Sequence, residues 1–211
     1  MKLSTIQLQG FRPFNEQIDI DFERLTMLIG NNDSGKSSIL DILDIALDLK
    51  KRPDDKDFFT STIVDDANEI IATLHFDIDP EEEDAQVYAS DNKIIFKTTY
   101  TRDNVTREYL AKVPQNEELR CQFQQLAAQE QKEIIETFDP AALETTSNSD
   151  NRTAWFNQFI QTVELVEDWK DIPPDFMKLL PKVQRYSAMD YETPEKLIDR
   201  TVRQIFESVL Y

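Results

Sequence analysis

Gly30-Asn31-Asn32-Asp33-Ser34-Gly35-Lys36-Ser37 matches the pattern GxxxxGK[ST] at every fixed position, and no other feature constrains the fold as tightly. A loop of this kind holds phosphates by aiming backbone N–H groups inward from the start of a helix. It therefore requires a strand before it and an amphipathic helix after it. Leu25-Thr26-Met27-Leu28-Ile29 is a nearly continuous apolar run, which predicts a strand buried on both faces. From Ser37 onward Ile39, Ile42, Leu43, Ala46, Leu47 and Leu49 recur mostly at helical spacing, with Asp41, Asp44 and Asp48 outside.

In such a loop Gly35 lets the main chain pass close to the phosphates, Lys36 reaches the β- and γ-phosphates, and the Ser37 hydroxyl ligates Mg²⁺. The candidate nucleotide site is thus Gly30, Asn31, Asn32, Asp33, Ser34, Gly35, Lys36, Ser37 and Ser38, with ATP and Mg²⁺ as ligands. The chain has only three glycines, where average usage would give about 15. Two of the three fall in this loop, where backbone must approach a ligand.

The formal charge of −18 argues against this region wrapping nucleic acid by itself, because non-specific DNA binding is mostly phosphate neutralisation by Lys and Arg. Contact with DNA is expected from sequence outside this chain or from a restricted face. No apolar run is long enough to span a membrane. The first residues do not read as a signal peptide, and the single Cys121 cannot close an internal disulfide; the expected setting is the cytoplasm.

Alternation predicts strands over residues 2–9 and 16–22, joined by the turn Gly10-Phe11-Arg12-Pro13. Further strands are predicted over 68–78, 92–101 and 104–113, with the acidic run Asp79 through Asp84 between the first two. Helical spacing is read over 116–138 and 153–169, with a linker over 139–151. Residues 179–186 read as a strand, and Thr193-Pro194 opens a helix still running at Tyr211. That helix lacks a C-cap signal, so the chain is expected to be part of something longer. The organisation expected is a P-loop core over 1–50, a β layer over 68–113, a helical region over 115–170, and a strand and helix over 179–211.

The form G-x-N-x-S-G-K-S, set by Asn32 and Ser34, resembles the loop of ABC-type ATPases of the SMC and RecF group. The leading strand, the Phe11-Arg12 turn and Leu25-Thr26-Met27-Leu28-Ile29-Gly30 resemble how those proteins begin. Within the group, Asn32-Asp33-Ser34-Gly35-Lys36-Ser37 and the later Leu180-Pro181-Lys182-Val183 before Tyr186 look most like the OLD family. That family joins an ABC-type ATPase to a C-terminal Toprim nuclease and includes the nuclease component of a phage-defence system.

The resemblance implies that Arg12 lies near the nucleotide and that Gln184 stands where a Q-loop glutamine could touch Mg²⁺ or the attacking water. It also implies a homo-oligomer assembled through ATPase domains, and a partner protein in a defence system. Asp33 departs from the glycine common in ABC loops, although Asp tolerates left-handed backbone. Gly10 replaces the Asn usual before Phe-Arg. Neither a Leu-Ser-Gly-Gly signature nor a run of four apolar residues ending Asp-Glu occurs in these 211 residues. Hydrolysis is therefore expected to need parts the chain does not carry, and the segment alone is expected to bind ATP weakly.

Other signals favour bland readings. Asp77 and Asp79 have the spacing of a Toprim metal pair but no Glu-Gly partner upstream, and with Glu81 through Asp84 they read as solvated hairpin acids. His75 lies opposite Leu74 and Phe76, on a surface or interface. Cys121, Trp155, Phe156 and Trp169 read as packing residues. A GTPase Asn-Lys-x-Asp is absent, since Asn92-Lys93 runs into Ile94-Ile95.

The fold class expected is α/β: a P-loop NTPase of ABC/SMC-RecF type, a mixed sheet with an antiparallel β layer and peripheral helices. The function expected is the ATP-binding part of an OLD-type, ATP-regulated endonuclease. The alternatives are a RecF- or SMC-like repair ATPase, a non-hydrolysing module that uses ATP for assembly, and, more distantly, a small-molecule kinase.

Overall fold

The computed structural model describes residues 1–32, 34–62, 64 and 66–185. Six strands form one sheet in the order β2-β1-β3-β4-β5-β6. They are β1 (Lys2–Gln9), β2 (Ile18–Asp21), β3 (Glu69–Asp77), β4 (Lys93–Thr101), β5 (Val105–Pro114) and β6 (Leu165–Asp171). Every pair is antiparallel. Strict alternation makes the sheet two-faced: Ile70, Ala72, Leu74 and Phe76 of β3 are buried on the same side as Ile94, Phe96, Thr98 and Tyr100 of β4.

That side is covered by α1 (Lys36–Leu47), the helix after the P-loop, through Ile39, Ile42, Leu43 and Ala46. Two sheet residues satisfy carbonyls at its C-terminal end. Tyr100 Oη donates to Ile45 O at 3.3 Å, and Arg107 donates to Leu49 O at 3.4 Å. The last carbonyls of a helix lack intrahelical partners, so these bonds tie α1 to the β layer at a fixed register. Phe176, in the short α5 (Pro174–Leu179), completes the core against Phe96, Tyr88 and Tyr109.

Between β5 and β6 the chain makes a separate helical unit. Two 3₁₀ turns, Glu117–Arg120 and Phe123–Gln125, precede α3 (Ala128–Phe138), a third 3₁₀ turn (Pro140–Glu144) and α4 (Ser149–Phe159). Its small core gathers Phe123, Ile135 and Ala142, with Trp155 and Phe156 packed on it. The rings of Phe123 and Phe156 stack at 4.3 Å, those of Trp155 and Phe159 at 4.9 Å. Buried Arg152 donates to Gln131 Oε1 at 2.8 Å, and Gln131 donates to Phe123 O at 2.9 Å, so the buried polar groups are paired. A four-residue helix, α2 (Glu83–Gln86), lies in the acidic connection between β3 and β4.

Several expectations are corrected. Residues 25–29 form no strand: Leu25 is 86% exposed, Met27 75% and Ile29 84%, only Leu28 of the run packs against the core, and among the described residues no strand pairs with them. A continuous apolar run reports a demand for burial; it does not supply the neighbours that would satisfy it. The helix expected over 153–169 ends at Phe159, and 165–171 becomes the edge strand β6, paired with β5 from Glu108↔Asp171 to Pro114↔Leu165. The ten-residue β5 leaves a row of backbone groups that a partner strand satisfies, and that demand overrides helical spacing. The expected linker over 139–151 carries a 3₁₀ turn and the start of α4. Residues 180–185 form neither helix nor strand. The helix expected from Thr193 lies outside the described residues, as does Tyr186. No helix among the described residues is long and apolar enough to cross a membrane.

Candidate functional site: the P-loop and its arginine

The P-loop meets α1 at Gly35, which takes the left-handed conformation (φ 86, ψ 4) at the N-cap. A Cβ there would lie 2.4 Å from Phe14 Cζ, so glycine is required both by backbone angle and by the ring pressed against it. The turn carrying Phe14 is therefore seated directly on the loop. At the base of that turn Gly10 has φ 75, and a Cβ would meet Glu69 O at 2.1 Å. Glycine at position 10 thus has a structural reason here.

Lys36 Nζ reaches back across the loop. It donates to Asn31 O at 2.5 Å, Gly30 O at 2.9 Å and Ser34 Oγ at 3.2 Å. An ammonium held by oxygens of its own loop stands where it can exchange one of them for a phosphate oxygen. No acid occupies the first turn of α1, so nothing there opposes an anion at the helix N-terminus. Ser37 is exposed on that first turn, with its hydroxyl available to a cation. Asn31, Asn32 and Ser34 are exposed as well, while Ser38 is buried under the helix. Asp33 lies outside the described residues. The donor set therefore suits a nucleoside phosphate with a divalent cation: backbone N–H groups, one lysine and one serine hydroxyl.

Arg12 also sits in left-handed backbone, at φ 50. Its Nε donates to Asp57 Oδ1 at 2.9 Å, its backbone N–H donates to Asp57 O at 2.8 Å, and its Nη1 pairs with Asp41 Oδ2. Asp57 is almost fully buried and also caps the 3₁₀ turn Asp55–Asp57 by accepting from Asp54 N. Asp41 has a second arginine on its other oxygen, Arg185 at 2.5 Å. Burial by itself would raise the Asp41 carboxyl and lower the Arg12 guanidinium. The hydrogen bonds outweigh it, so Asp41 is held below the usual carboxylate value and Arg12 above the usual guanidinium value.

Asp41, Asp57, Phe14 and Arg185 are residues that sequence reasoning missed as parts of this site. Helical spacing places Asp41 on the solvent side of α1, yet it is half-buried between two arginines. The available signal was its place four residues after Ser37, on the same helix face. Gln184 is exposed and adjoins Arg185, so the segment containing it reaches α1 through its neighbour.

The remaining singled-out residues lie elsewhere. His75 falls on the sheet face opposite the core, half-buried. Burial, and then the charge of Lys93, lower its pKa. Asp79 bonds within its own turn, whereas Glu82 accepts from Asp79 N and also pairs with the Met1 ammonium. Cys121 is half-buried, and burial raises its thiol pKa. Trp155 donates to Asp139 Oδ2 at 3.0 Å, and Trp169 lies under the Lys97 ammonium at 3.9 Å.

Solved structures similar to this chain include SMC proteins, at low overlap. An SMC ATPase studied for ATP-driven dimerization and DNA-stimulated activation aligns at 20% identity and TM-score 0.41, over 52% of this chain and 68% of its own. The SMC head domain from Thermotoga maritima aligns at 24% identity and TM-score 0.41, over 52% of this chain and 37% of its own. An SMC head bound to the C-terminal winged-helix domain of ScpA aligns at 21% identity and TM-score 0.41, over 52% and 35%. This chain thus spans little more than a third of the latter two. No curated protein matches significantly. A family model described as an AAA ATPase domain matches residues 1–210. On that match, which covers nearly the whole sequence, and on a P-loop whose lysine, glycine turn and following helix are in place, the chain belongs to the AAA ATPase domain family.

Proposed function

We propose that residues 30–38 bind ATP with Mg²⁺, and that the chain is the ATP-binding segment of an OLD-type, ATP-regulated DNA endonuclease. The nucleotide half rests on one observation above all: Lys36 Nζ lies across the loop on Gly30 O and Asn31 O, over a left-handed Gly35. Bound nucleotide would take backbone N–H groups of the loop and Lys36, with Ser37 as a ligand of Mg²⁺. The cation supplies charge neutralisation at the phosphates. Arg12 and Gln184 are the further candidates, Arg12 as a phosphate contact and Gln184 as a Q-loop residue.

The nuclease half rests on resemblance: the wording Asn32 through Ser37 and Leu180-Pro181-Lys182-Val183. In this reading, copies assemble through their ATPase domains, DNA is held by regions outside this chain, and a defence-system protein is a partner. The test is ATP turnover and DNA cleavage by the full-length protein, scored in the same samples beside Lys36→Ala. Cleavage that changes with ATP in the wild type, and no longer does in the variant, supports the proposal. Turnover without cleavage points to the RecF- or SMC-like repair ATPase. Binding without turnover points to an assembly module.

A further inference from the structure

Asp41 stands four residues after Ser37 on α1, so the two side chains share one helix face, with Cβ atoms about 5–6 Å apart. That face is the one on which Ser37 would meet the cation and the terminal phosphates. Arg12 reaches it from the turn after β1. The arginine is fixed from behind by Asp57, through Nε at 2.9 Å and through its backbone N–H at 2.8 Å. Buried Phe11 and Phe14, which rests on Gly35, hold the turn itself. These bonds and the Asp41 contact engage Nε and Nη1. A guanidinium carries five N–H donors, so N–H groups remain for a further acceptor.

The charges alternate along the cluster: Asp57, Arg12, Asp41, Arg185. Asp41 divides its two oxygens between two arginines, and Arg12 divides its donors between two carboxylates, so the cluster is charge-balanced and holds the Arg12 guanidinium in one orientation. Arg185 closes the line and brings the segment around Gln184 to the same helix face.

We infer that Asp41 is a positioning residue for nucleotide binding: it sets Arg12 toward the terminal phosphates and joins that arginine to Arg185. This rests on the reading that residues 30–38 bind ATP. Through Asp41, the P-loop helix, the turn after β1 and the segment at residue 185 share one carboxylate. A change in how Arg12 is used at the phosphates is then felt at Arg185.

The test uses the full-length protein with Asp41→Asn, Asp41→Glu, Arg185→Ala and the double variant Asp41→Asn/Arg185→Ala. Dissociation constants are measured for Mg²⁺-ATP and for ADP, and the ligand-free proteins are melted. Asp41→Asn should weaken ATP about tenfold, as loss of a group that orients a ligand-binding residue does, with ADP changed far less. Asp41→Glu should recover most of the loss. Arg185→Ala should weaken ATP in the same direction by a smaller factor, and the double variant should be no worse than Asp41→Asn alone. A variant with a lower melting temperature but an unchanged ratio of ATP to ADP affinity overturns the inference, because a strut would behave that way. If Asp41→Asn does not fold, the exposed Arg185→Ala carries the same test by the same ratio. Should Lys36→Ala leave ATP binding intact, the nucleotide reading itself fails. Should Lys36→Ala abolish binding while the Asp41 variants keep the ratio, only this inference fails.

Discussion

The ring of Phe14 rests on Gly35: a Cβ at position 35 would stand 2.4 Å from Phe14 Cζ. The contact fastens the turn after β1 to the phosphate loop, and it adds to the left-handed backbone angle that already favours glycine at position 35. Gly35→Ala meets both the ring and a φ of 86, and left-handed backbone alone costs an L-residue about 1–2 kcal/mol. ATP binding should fall below detection, with a lower urea midpoint. The double variant Phe14→Ala/Gly35→Ala relieves the clash but not the backbone angle, so it should regain part of the stability and little of the binding.

Asp57 is the buried end of the arginine cluster. Asp57→Ala removes the acceptor of Arg12 Nε and the cap of the turn Asp55–Asp57. Because Arg12 keeps Asp41 as a partner and remains about a third exposed, its charge stays partly paired and screened, and the cost should be about 2 kcal/mol in urea unfolding. Asp57→Asn keeps the shape and should lose less.

Acid should act through Asp41. Its carboxyl titrates below the ordinary 3.8 in the folded protein, so the folded form binds that proton less readily than the unfolded chain. The stabilisation is fully present above the unfolded value and is lost as pH falls through the folded one. Urea unfolding of the wild type and Asp41→Asn from pH 7 to pH 3 should show a constant gap at the upper end, narrowing below about pH 5. A gap that widens in acid would contradict the assignment.

The helical unit between β5 and β6 has its own small core, separate from the P-loop. Phe123→Ala removes a buried ring stacked on Phe156, at a cost of about 3 kcal/mol, the lower end for such truncations. Trp155 lies in the same cluster, so its fluorescence should report the loss. ATP affinity should stay within twofold of wild type.

The arrangement at the P-loop is legible in the sequence because it is local: Gly35, Lys36 and Ser37 stand side by side where the loop enters α1. The strands β3, β4 and β5 were legible for a similar reason, since alternation is written into each strand separately. What the sequence hid depended on distant partners. Residues 165–171 carry Val166 and Trp169 at spacings that suit a helix, and only the waiting edge of β5 makes them a strand. Asp41 resembles Asp44 and Asp48 in sequence, but Arg12 and Arg185 arrive beside it from 29 and 144 residues away. The run Leu25 through Ile29 is apolar, yet only Leu28 of it packs against the core, since burial belongs to neighbours and not to a run of residues.

Nucleotide binding by the loop from Gly30 to Ser38 is the property on which every other proposed role depends. The direct measurement is calorimetric binding of Mg²⁺-ATP to the full-length protein beside Lys36→Ala, with folding of both checked by circular dichroism. The wild type should bind saturably, more weakly without Mg²⁺, and binding should be lost in a variant that remains folded. A wild type that binds no ATP, or a folded Lys36→Ala that binds it as tightly, would contradict this assignment.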